Sequence, residues 1–597
     1  MELKSRDQLD PTFTWDLSPI FSDDTSWKKA LEKVSGEIEG LTELSGQLDG
    51  CAHCLKRVLD KAFEVEYDLF LVYVYAMLKN SSDNGNQGNQ AMLQMAMQEY
   101  VKYEANLSFL VPEILAIPED RFKDEYQNNE ILEKYRHFMD NVNRSRAHTL
   151  TSNEEHLLAM MGDAQNGPSR SIRMLSDVDL RFPTVKNENG EEIELSHARF
   201  SVLRESQDRN VRKAAFDGFL GEYKKFNNTI SAIYQNSIMF DKFNALARKH
   251  PSSCEAALFS SNVPISVYDS LVSAVHDSLP TMRRYIDLRK RVLKLDTVSL
   301  YDLYCPMVLD VDFKVTFEEG KELVKKALAP LGEKYIELLN RAFSEHWLDV
   351  YENRGKTSGA FSCGVYGVHS YVLLNYADKL DDAFTLAHEM GHAMHSYLSN
   401  SSLDYANSGY KIFVAEVAST VNEVLLSKYL LKVEKDKKRR AFILNHLLEC
   451  FRTTVFRQTL FAEFERKAHD MAEAGTPITG ETLNKVYHDL NSLYYAGAEN
   501  PEIFDYEWSW INHFYNAFYV YQYATGFSSA VAIADGILAT GETSGYLKFL
   551  SSGGSDYPIE LLKGAGVDLT TPAPIKTALK FFDETVLELD ALLSDME

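Results

Sequence analysis

Apolar residues recur every three or four positions over most of the chain, which is the spacing of an amphipathic helix. Two such stripes lie near the N-terminus: Trp27, Leu31, Val34 and Ile38 after the helix-start sequence Asp24-Thr25-Ser26, and Met92, Met95, Met97 and Tyr100 further on. We expect both stripes to be buried helix faces. The pattern continues to the C-terminus, so helices are predicted to dominate the fold.

Two short regions break the helical pattern. Residues 182–185 and 192–195 are predicted to form a β-hairpin that turns at Asn189-Gly190. The second region extends from about 356 to 376, and its two β-prone runs predict an antiparallel pair. A helix predicted over about 382–399 follows directly, so the pair leads into that helix.

The composition fits a mainly α protein of more than one domain. The 597 residues include only 30 Gly and 16 Pro, and few helix breakers favour long helices. We predict an N-terminal helical domain over 1–200 and a second domain over 201–597, which contains the β region and the helix after it.

Charge and apolar run length argue against two classes of partner. With 62 basic and 87 acidic side chains the net charge is -25, which disfavours binding to nucleic acid or to anionic membranes. Residues 1–7 lack the apolar segment of a signal peptide. The longest apolar run, Leu69 to Leu78, has about half the length that a membrane span needs, so a buried helix is predicted there. Because a signal-peptide segment and a membrane-spanning run are both missing from the pattern, a cytoplasmic location is expected.

The six cysteines suggest reduced thiols rather than a disulfide framework. Cys51 and Cys54 flank His53 with a spacing that also occurs in metal sites. A second cysteine pair that would complete a tetrahedral zinc site is missing from the sequence, so a metal site there is not expected.

The strongest chemical signal is an H-E-x-x-H motif formed by His388, Glu389 and His392. At about 100° per residue the two histidines share one helix face, about 6 Å apart along the axis, where both can reach one metal ion. Leu386, Met390, Ala393 and Tyr397 form an apolar stripe on the opposite face. The motif helix is therefore anchored on one side and presents ligands on the other.

A catalytic zinc ion also requires a third protein ligand and a position open to water. We select Glu416, on a second helical pattern that follows the turn-rich segment 400–409. His395 is a rival, but it lies about 10 Å along the axis from His388. Glu423 shares a face with Glu416 and is either an acceptor that orients a ligand histidine or an ordinary surface carboxylate.

Glu389 points about 100° away from His388 and is suited to proton transfer instead of metal binding. Zinc lowers the pKa of a bound water, and a carboxylate beside that water can take its proton and later pass it to the leaving amine. The motif therefore predicts hydrolysis of a peptide bond with one zinc ion per chain. Cobalt or manganese could occupy the same ligands.

The sequence resembles the thimet oligopeptidase-like metallopeptidases, and specifically their oligoendopeptidase F branch. The resemblance is carried by the segments 375–396, 413–423, 513–526 and 15–21, and it covers nearly the whole chain. It implies a mainly α, clam-like protein with a deep channel that admits oligopeptides and excludes folded proteins. It also implies Glu416 as third ligand, in agreement with the spacing.

The resemblance further implies residues for substrate binding and oxyanion stabilisation. Gly359, Ala360 and Phe361 occupy the strand that pairs with the substrate backbone in this family. His513 and Tyr521 are the best candidates for oxyanion donors, followed by Tyr515 and Tyr519. For Tyr519, and for Tyr523 as well, a place in a packed helix is favoured over a part in catalysis.

Two other functions remain open at this point. A carboxypeptidase on the same architecture would need a cationic clamp for the substrate C-terminus, and the sequence does not identify one. A peptide-binding protein without activity would have no need of Glu389. The sequence favours an endopeptidase that acts on short peptides, and it is silent on the oligomeric state.

Overall fold

A computed structural model describes residues 3–48, 50–309 and 313–596. Helices make up 71% of it and strands are few and short, so the predicted mainly α class is confirmed. The chain divides into two compact units. The first comprises 1–147, 313–429 and 533–566, and the second comprises 148–312, 430–532 and 567–597.

The α-helices are numbered in chain order. Those of the first half are α1 Asp24–Gly40, α2 Ala52–Ser82, α3 Gln87–Asn106, α4 Leu110–Ala116, α5 Glu119–Phe122, α6 Arg136–Ser145, α7 Ser152–Gln165, α8 Gly167–Met174, α9 His197–Leu203, α10 Arg209–Lys225, α11 Asn227–Ala247, α12 Ser253–Phe259, α13 Ile265–Asp277 and α14 Leu279–Val292. Those of the second half are α15 Phe317–Leu328, α16 Glu333–Ser344, α17 Leu380–Ser402, α18 Tyr405–Ser408, α19 Ile412–Val433, α20 Lys437–Phe451, α21 Arg457–Glu473, α22 Gly480–Tyr494, α23 Tyr521–Thr540, α24 Ser544–Leu550, α25 Pro558–Gly564 and α26 Ala573–Ser594.

The strands of the described residues form three small sheets. They are β1 Thr184–Lys186, β2 Glu192–Glu194, β3 Val298–Ser299, β4 Leu348–Asp349, β5 Phe361–Gly364, β6 Ser370–Leu373 and β7 Ala498–Glu499. The predicted hairpin is confirmed, since β1 and β2 pair antiparallel. The predicted pair before the motif helix is also confirmed, with Phe361 opposite Leu373. The parallel pairing of β4 with β6 was not predicted, because two residues carry no readable strand pattern.

The N-terminal helices of the first unit pack on one another and on β6. Trp27 is buried, and its indole Nε1 donates a hydrogen bond to the Val72 carbonyl at 2.8 Å, which ties α1 to α2. Tyr371 and Leu373 of β6 belong to the same apolar core. This core therefore supports the sheet that precedes the motif helix.

The predicted stripe on α3 is only partly correct. Met92 is buried, but Met95 is 41% exposed and Met97 is 53% exposed. Methionine spacing alone predicted a wider apolar face than α3 buries, because only one side of this helix is covered by α1 and α2. The first stripe fits better, with Trp27, Val34 and Ile38 fully covered.

The apolar run from Leu69 to Leu78 lies inside α2, and most of its side chains are buried. The predicted buried helix is therefore confirmed. Among the described residues, no helix has both the length and the apolar character that a membrane span requires. The predicted boundary at residue 200 follows the sequence pattern and stays a prediction.

Candidate active site

The helix that carries the H-E-x-x-H motif is α17, and its start is fixed by a side-chain cap. One carboxylate oxygen of Asp382 accepts hydrogen bonds from the backbone N–H groups of Ala377 and Lys379, each at 2.9 Å. Ser370 of β6 donates to the Ala393 carbonyl at 2.9 Å, so the sheet holds the middle of the helix. Helix α17 extends to Ser402 and contains the predicted range.

Helix α19 crosses α17 at very short range at Gly391. A Cβ atom placed on Gly391 would lie 2.5 Å from Ser419 Cα and 2.6 Å from the Ala418 carbonyl oxygen. Asn422, which is fully buried, donates from Nδ2 to the Ala387 carbonyl at 3.0 Å. Sequence reasoning did not single out Gly391 or Asn422, although a glycine within the motif was a readable signal for close helix packing.

This crossing brings the three predicted ligand side chains together. His388 Nε2 lies 3.2 Å from His392 Nε2. Glu416 Oε2 lies 3.4 Å from each of these two nitrogen atoms. Within the described part of the chain, this is the group of histidine, cysteine and acidic side chains with the spacing for a metal ion. Two imidazoles and a carboxylate suit a divalent metal such as zinc.

The protonation of His388 and the ionisation of Glu416 favour each other. Burial opposes protonation of His388, but its hydrogen bonds with Glu416 and Glu423 outweigh burial and raise its pKa to about 10. Burial also opposes ionisation of Glu416, and its hydrogen bonds with His388 and His392 prevail and lower its pKa. A divalent ion would compete with protonation of His388, because the ion and the proton need the same lone pair.

Glu389 is buried next to this group and takes no part in it. Its side chain is 7% exposed, and its Oε2 atom has no hydrogen-bond partner among the described residues. Burial raises the pKa of Glu389 above its ordinary value. A carboxylate with a free oxygen and a raised pKa is suited to exchange a proton with a water or a substrate.

Glu423 contacts the back of His388. Its Oε1 atom accepts a hydrogen bond from His388 Nδ1, while Nε2 of the same ring faces His392 Nε2 and Glu416 Oε2. Of the two possibilities left open by the sequence, this contact favours an orienting acceptor over an ordinary surface carboxylate. Glu423 follows Glu416 by seven residues, two helical turns, so both carboxylates emerge on one face of α19.

Models of known protein families match most of the chain. The model of peptidase family M3 matches residues 202–581. The chain belongs to peptidase family M3. A second model, described as oligopeptidase F, matches residues 113–182.

Several M3 relatives align over nearly the full length. Oligopeptidase PepF of Bacillus subtilis is 42% identical and covers 99% of this chain and 89% of its own. The plasmid-borne oligoendopeptidase F of Lactococcus lactis subsp. cremoris is 38% identical, with 99% of both chains covered. The crystal structure of oligoendopeptidase F from Enterococcus faecium is 37% identical, with a TM-score of 0.75 over 96% of this chain and 100% of that one.

These findings confirm the resemblance to oligoendopeptidase F. This M3 protein is a metalloendopeptidase that hydrolyses peptide bonds, and its substrates are peptides. A solved structure from Chlamydophila abortus, 34% identical, shares the fold with a TM-score of 0.93 over 99% of this chain and 100% of that one. The predicted enzyme class is therefore confirmed, and the alternative of a non-catalytic peptide binder is set aside.

His395, the rival ligand, has a different role in this M3 fold. It is 1% exposed, and its ring stacks on Tyr410 at a centroid distance of 3.8 Å and packs near Phe549. Burial lowers the pKa of His395 to about 3, so the ring is neutral. Helical geometry placed His395 on the ligand face, but the segment that follows α17 covers it with an aromatic ring.

The Cys51 and Cys54 thiols lie side by side. The two Sγ atoms lie 2.8 Å apart at the start of α2, and both thiols are free. His53 and these cysteines are absent from the group with metal-ligand spacing. The expectation that this motif lacks a metal stays a prediction.

The residues predicted to bind substrate lie at the start of β5. Only Phe361 belongs to the strand, while Gly359 and Ala360 precede it, and Gly359 adopts a positive φ of 80°. The sheet order is β4-β6-β5, which makes β5 an edge strand among the described strands. An edge strand has one row of backbone groups available for pairing with a peptide.

The predicted oxyanion donors belong to the second unit. His513 and Tyr515 lie in a short 3-10 helix, and Tyr521 begins α23. His513 is exposed, Tyr521 is buried with its ring 5.1 Å from that of Tyr268, and the Tyr515 hydroxyl is buried without a partner among the described residues. Their part in catalysis stays a prediction.

The packed-helix alternative is wrong for one of the two tyrosines to which it was applied. Tyr519 lies in the non-helical segment before α23, where Phe518 adopts a positive φ of 56°, whereas Tyr523 lies within α23. The aromatic spacing looked helical, but the backbone turns at Phe518 before the helix begins.

Replacing Gly391 by alanine is expected to destabilise this M3 peptidase and weaken its metal site. The added methyl group meets the backbone of α19, so that helix must shift and carry Glu416 with it. We expect a loss of about 1–3 kcal/mol in the free energy of unfolding, as for other overpacked cores. Denaturant unfolding and a competition titration with a metal-binding dye measure the two effects.

Gly536 provides the matched control for this substitution. It lies in α23, and a Cβ placed on it meets nothing within 4 Å. Gly536→Ala should leave metal affinity unchanged and stabilise the helix by up to about 1 kcal/mol. Equal behaviour of the two variants would contradict the importance of close packing at Gly391.

Replacing Glu423 by glutamine is expected to weaken metal binding without unfolding the protein. The amide removes the charge that faces His388 Nδ1 but keeps the shape of the side chain. Removing such an acceptor typically lowers metal affinity about 10–100-fold. A dye competition titration measures the affinity, and an unchanged value would show that Glu423 does not orient His388.

Proposed function

We propose that this chain is a zinc-dependent endopeptidase that cuts internal bonds of short oligopeptides, with Glu389 as general base. The observation that carries the proposal is the mutual spacing of the three ligand atoms of His388, His392 and Glu416, 3.2 Å and twice 3.4 Å. Ligand atoms at tetrahedral corners about 2.0–2.1 Å from a zinc ion are about 3.3–3.4 Å apart. The site therefore fits zinc without rearrangement.

A zinc ion in this site would lower the pKa of a bound water and polarise the carbonyl group of the bond to be cut. The protein residues supply the other steps. Glu389 has a buried oxygen atom without a partner among the described residues, and it takes a proton from the attacking water. It then delivers that proton to the leaving amine, so the carboxylate is restored after each turnover.

Glu423 and Ser419 hold the ligands in place during this cycle. Glu423 fixes the ring orientation of His388 through Nδ1. Ser419 donates a hydrogen bond from Oγ to Glu416 Oε2 at 3.0 Å, which restrains the carboxylate. His513 and Tyr521, with Tyr515, remain our proposed donors to the oxyanion that forms on the substrate.

The edge strand β5 supports endopeptidase action on extended peptides. A peptide that pairs with backbone groups of Phe361–Gly364 is held along its length and need not present a free terminus. The relatives named oligopeptidase and oligoendopeptidase support short peptides as the substrates. The channel implied by the resemblance would explain an upper size limit, and we retain it as part of the proposal.

A digest of a mixed peptide library, mapped by mass spectrometry, tests the proposal. We expect cuts at internal bonds, unchanged rates when the peptide C-terminus is blocked, loss of activity with a chelator and recovery on adding zinc. A denatured large protein in the same tube should remain uncut. Dependence on a free C-terminus would indicate a carboxypeptidase instead, and recovery with manganese or cobalt but not with zinc would contradict the assigned metal.

A further inference from the structure

A cavity of about 400 Å³ lies beside the C-terminal half of α17 in the first unit. Gly364, the last residue of β5, lines it together with Ser396 and Asn400 of α17. These two residues follow His392 by four and eight positions, so the cavity extends about 6 to 12 Å beyond His392 along the helix axis. It therefore lies at one end of the edge strand, on the continuation of the ligand face.

A second cavity, of about 220 Å³, lies at the opposite end of β5 and is lined by Gly359, Ala360 and Thr385 among others. Thr385 precedes His388 by three residues, about 4.5 Å along the axis. A peptide running along β5 past the ligand atoms would reach one cavity on each side of the bond that is cut. The two cavities are thus placed as side-chain subsites.

The walls of the larger cavity are aromatic and one acidic group lies among them. Its aromatic lining residues are Phe63, Phe70, Tyr366, Tyr405 and Tyr410. The acidic group is Glu66 of α2. Burial and the nearby negative charge of Glu66 raise the pKa of the hydroxyl groups of Tyr100 and Tyr405. Aromatic faces and a carboxylate together suit a cation, since both attract positive charge.

Glu66 has no counter-charge among the described residues. Its hydrogen bond comes from the Tyr103 hydroxyl, at 3.4 Å, and neither lysine, arginine nor histidine lies within ion-pair distance in that part of the chain. Burial raises the pKa of Glu66, which reflects the cost of an unpaired charge at this place. A cationic ligand would supply the missing partner and offset that cost.

We propose that this cavity is a subsite for a lysine or arginine side chain of the substrate, with Glu66 as the residue that determines this preference. The inference rests on the proposed function, because it places a peptide along β5. The cavity lies about 6 to 12 Å beyond His392 along the helix axis. At about 3.3 Å per residue in an extended chain, that distance corresponds to a substrate side chain two or three residues from the cut bond.

A positional scan tests this proposal. A neutral peptide with one internal cleavage site is prepared with a single arginine, or its uncharged isostere citrulline, at each position on both sides of that site. We expect kcat/KM to favour arginine over citrulline at least about tenfold at one position two or three residues from the cut, as for a hydrogen-bonded charge pair. At every other position, the kcat/KM values of the arginine and citrulline peptides should differ little.

The Glu66→Gln variant then assigns the preference to this carboxylate. The ratio of kcat/KM for arginine over citrulline should fall toward one, whereas Glu64→Gln, an exposed position on the same helix, should keep the ratio of the parent. If Glu66→Gln does not fold, the comparison of arginine with citrulline peptides on the parent protein still tests the subsite.

Equal cleavage of both peptides at every position would overturn the subsite, and so would a preference that persists in Glu66→Gln. Failure of the parent to cut any peptide of the series would overturn the proposed function, and this subsite with it.

Discussion

Glu389→Gln is expected to abolish most of the peptidase activity while the protein keeps its metal ion. The glutamine amide has the shape of the carboxylate but cannot accept a proton at neutral pH. General bases typically contribute about 10²–10⁴-fold to the rate, so kcat should fall by that factor. The metal should remain, because Glu389 is not part of the group formed by His388, His392 and Glu416.

This prediction is checked by two measurements on the same preparation. Turnover of an internally quenched peptide gives kcat, and elemental analysis after dialysis gives the metal content per chain. Asp381→Asn, an exposed position in the first turn of α17, is the control and should retain both. Full turnover in Glu389→Gln would remove Glu389 from the mechanism, and joint loss of metal and turnover would mean that Glu389 supports the metal site instead.

The second large effect is expected from Glu416→Ala, which removes the proposed third ligand of the metal site. The two imidazoles that remain cannot hold zinc tightly, since a catalytic site needs three protein ligands. We expect less than one-tenth of the metal content of the parent after dialysis, and activity at the level of the chelated enzyme. Asp381→Asn serves again as the control.

Thermal unfolding separates loss of the ion from loss of the fold. A ligand present at a thousand times its dissociation constant stabilises a protein by about 4 kcal/mol, so added zinc should raise the Tm of the metal-free parent clearly. Glu416→Ala should unfold cooperatively and show little response to zinc. A normal response to zinc in this variant would exclude Glu416 as a ligand and would leave the identity of the third ligand open.

The two predictions have different physical origins. We expect Glu389 to act through a proton, since burial raises its pKa toward the range in which a general base is most effective. We expect Glu416 to act through its negative charge, which its contacts with both imidazoles stabilise. Loss of the Glu389 carboxylate should leave a metal site that is occupied but turns over slowly. Loss of the Glu416 carboxylate should leave a site that no longer holds the metal ion.

Much of this site could be predicted because it depends on helix periodicity. The four-residue spacing of His388 and His392 fixes both rings on one face wherever the helix lies. The apolar residues Leu386, Met390 and Ala393 on the other face are fully buried, as expected, whereas Tyr397 of the same stripe is only half-buried. The strand pair before the helix was likewise readable, since β-prone residues and glycines interrupt an otherwise helical chain.

Other features depended on which segments meet in the folded chain, and local spacing could not reveal them. His395 has the right helical phase for the ligand face, yet Tyr410 covers it. Met95 and Met97 have apolar side chains that stay 41% and 53% exposed. Glu423 could have been a surface carboxylate until the crossing of α17 and α19 placed it against His388.

The sequence by itself determined the helical class and the motif helix, and it supplied the predictions of Glu389 as general base and Glu416 as ligand, because each follows from the chemistry and the periodicity of neighbouring residues. Tertiary structure decided the spacing of the ligand atoms, the contact of Glu423 with His388 and the position of Glu66 in an aromatic cavity. These depend on contacts between residues far apart in the chain, such as the backbone approach at Gly391, and side-chain periodicity within one helix does not specify its neighbour.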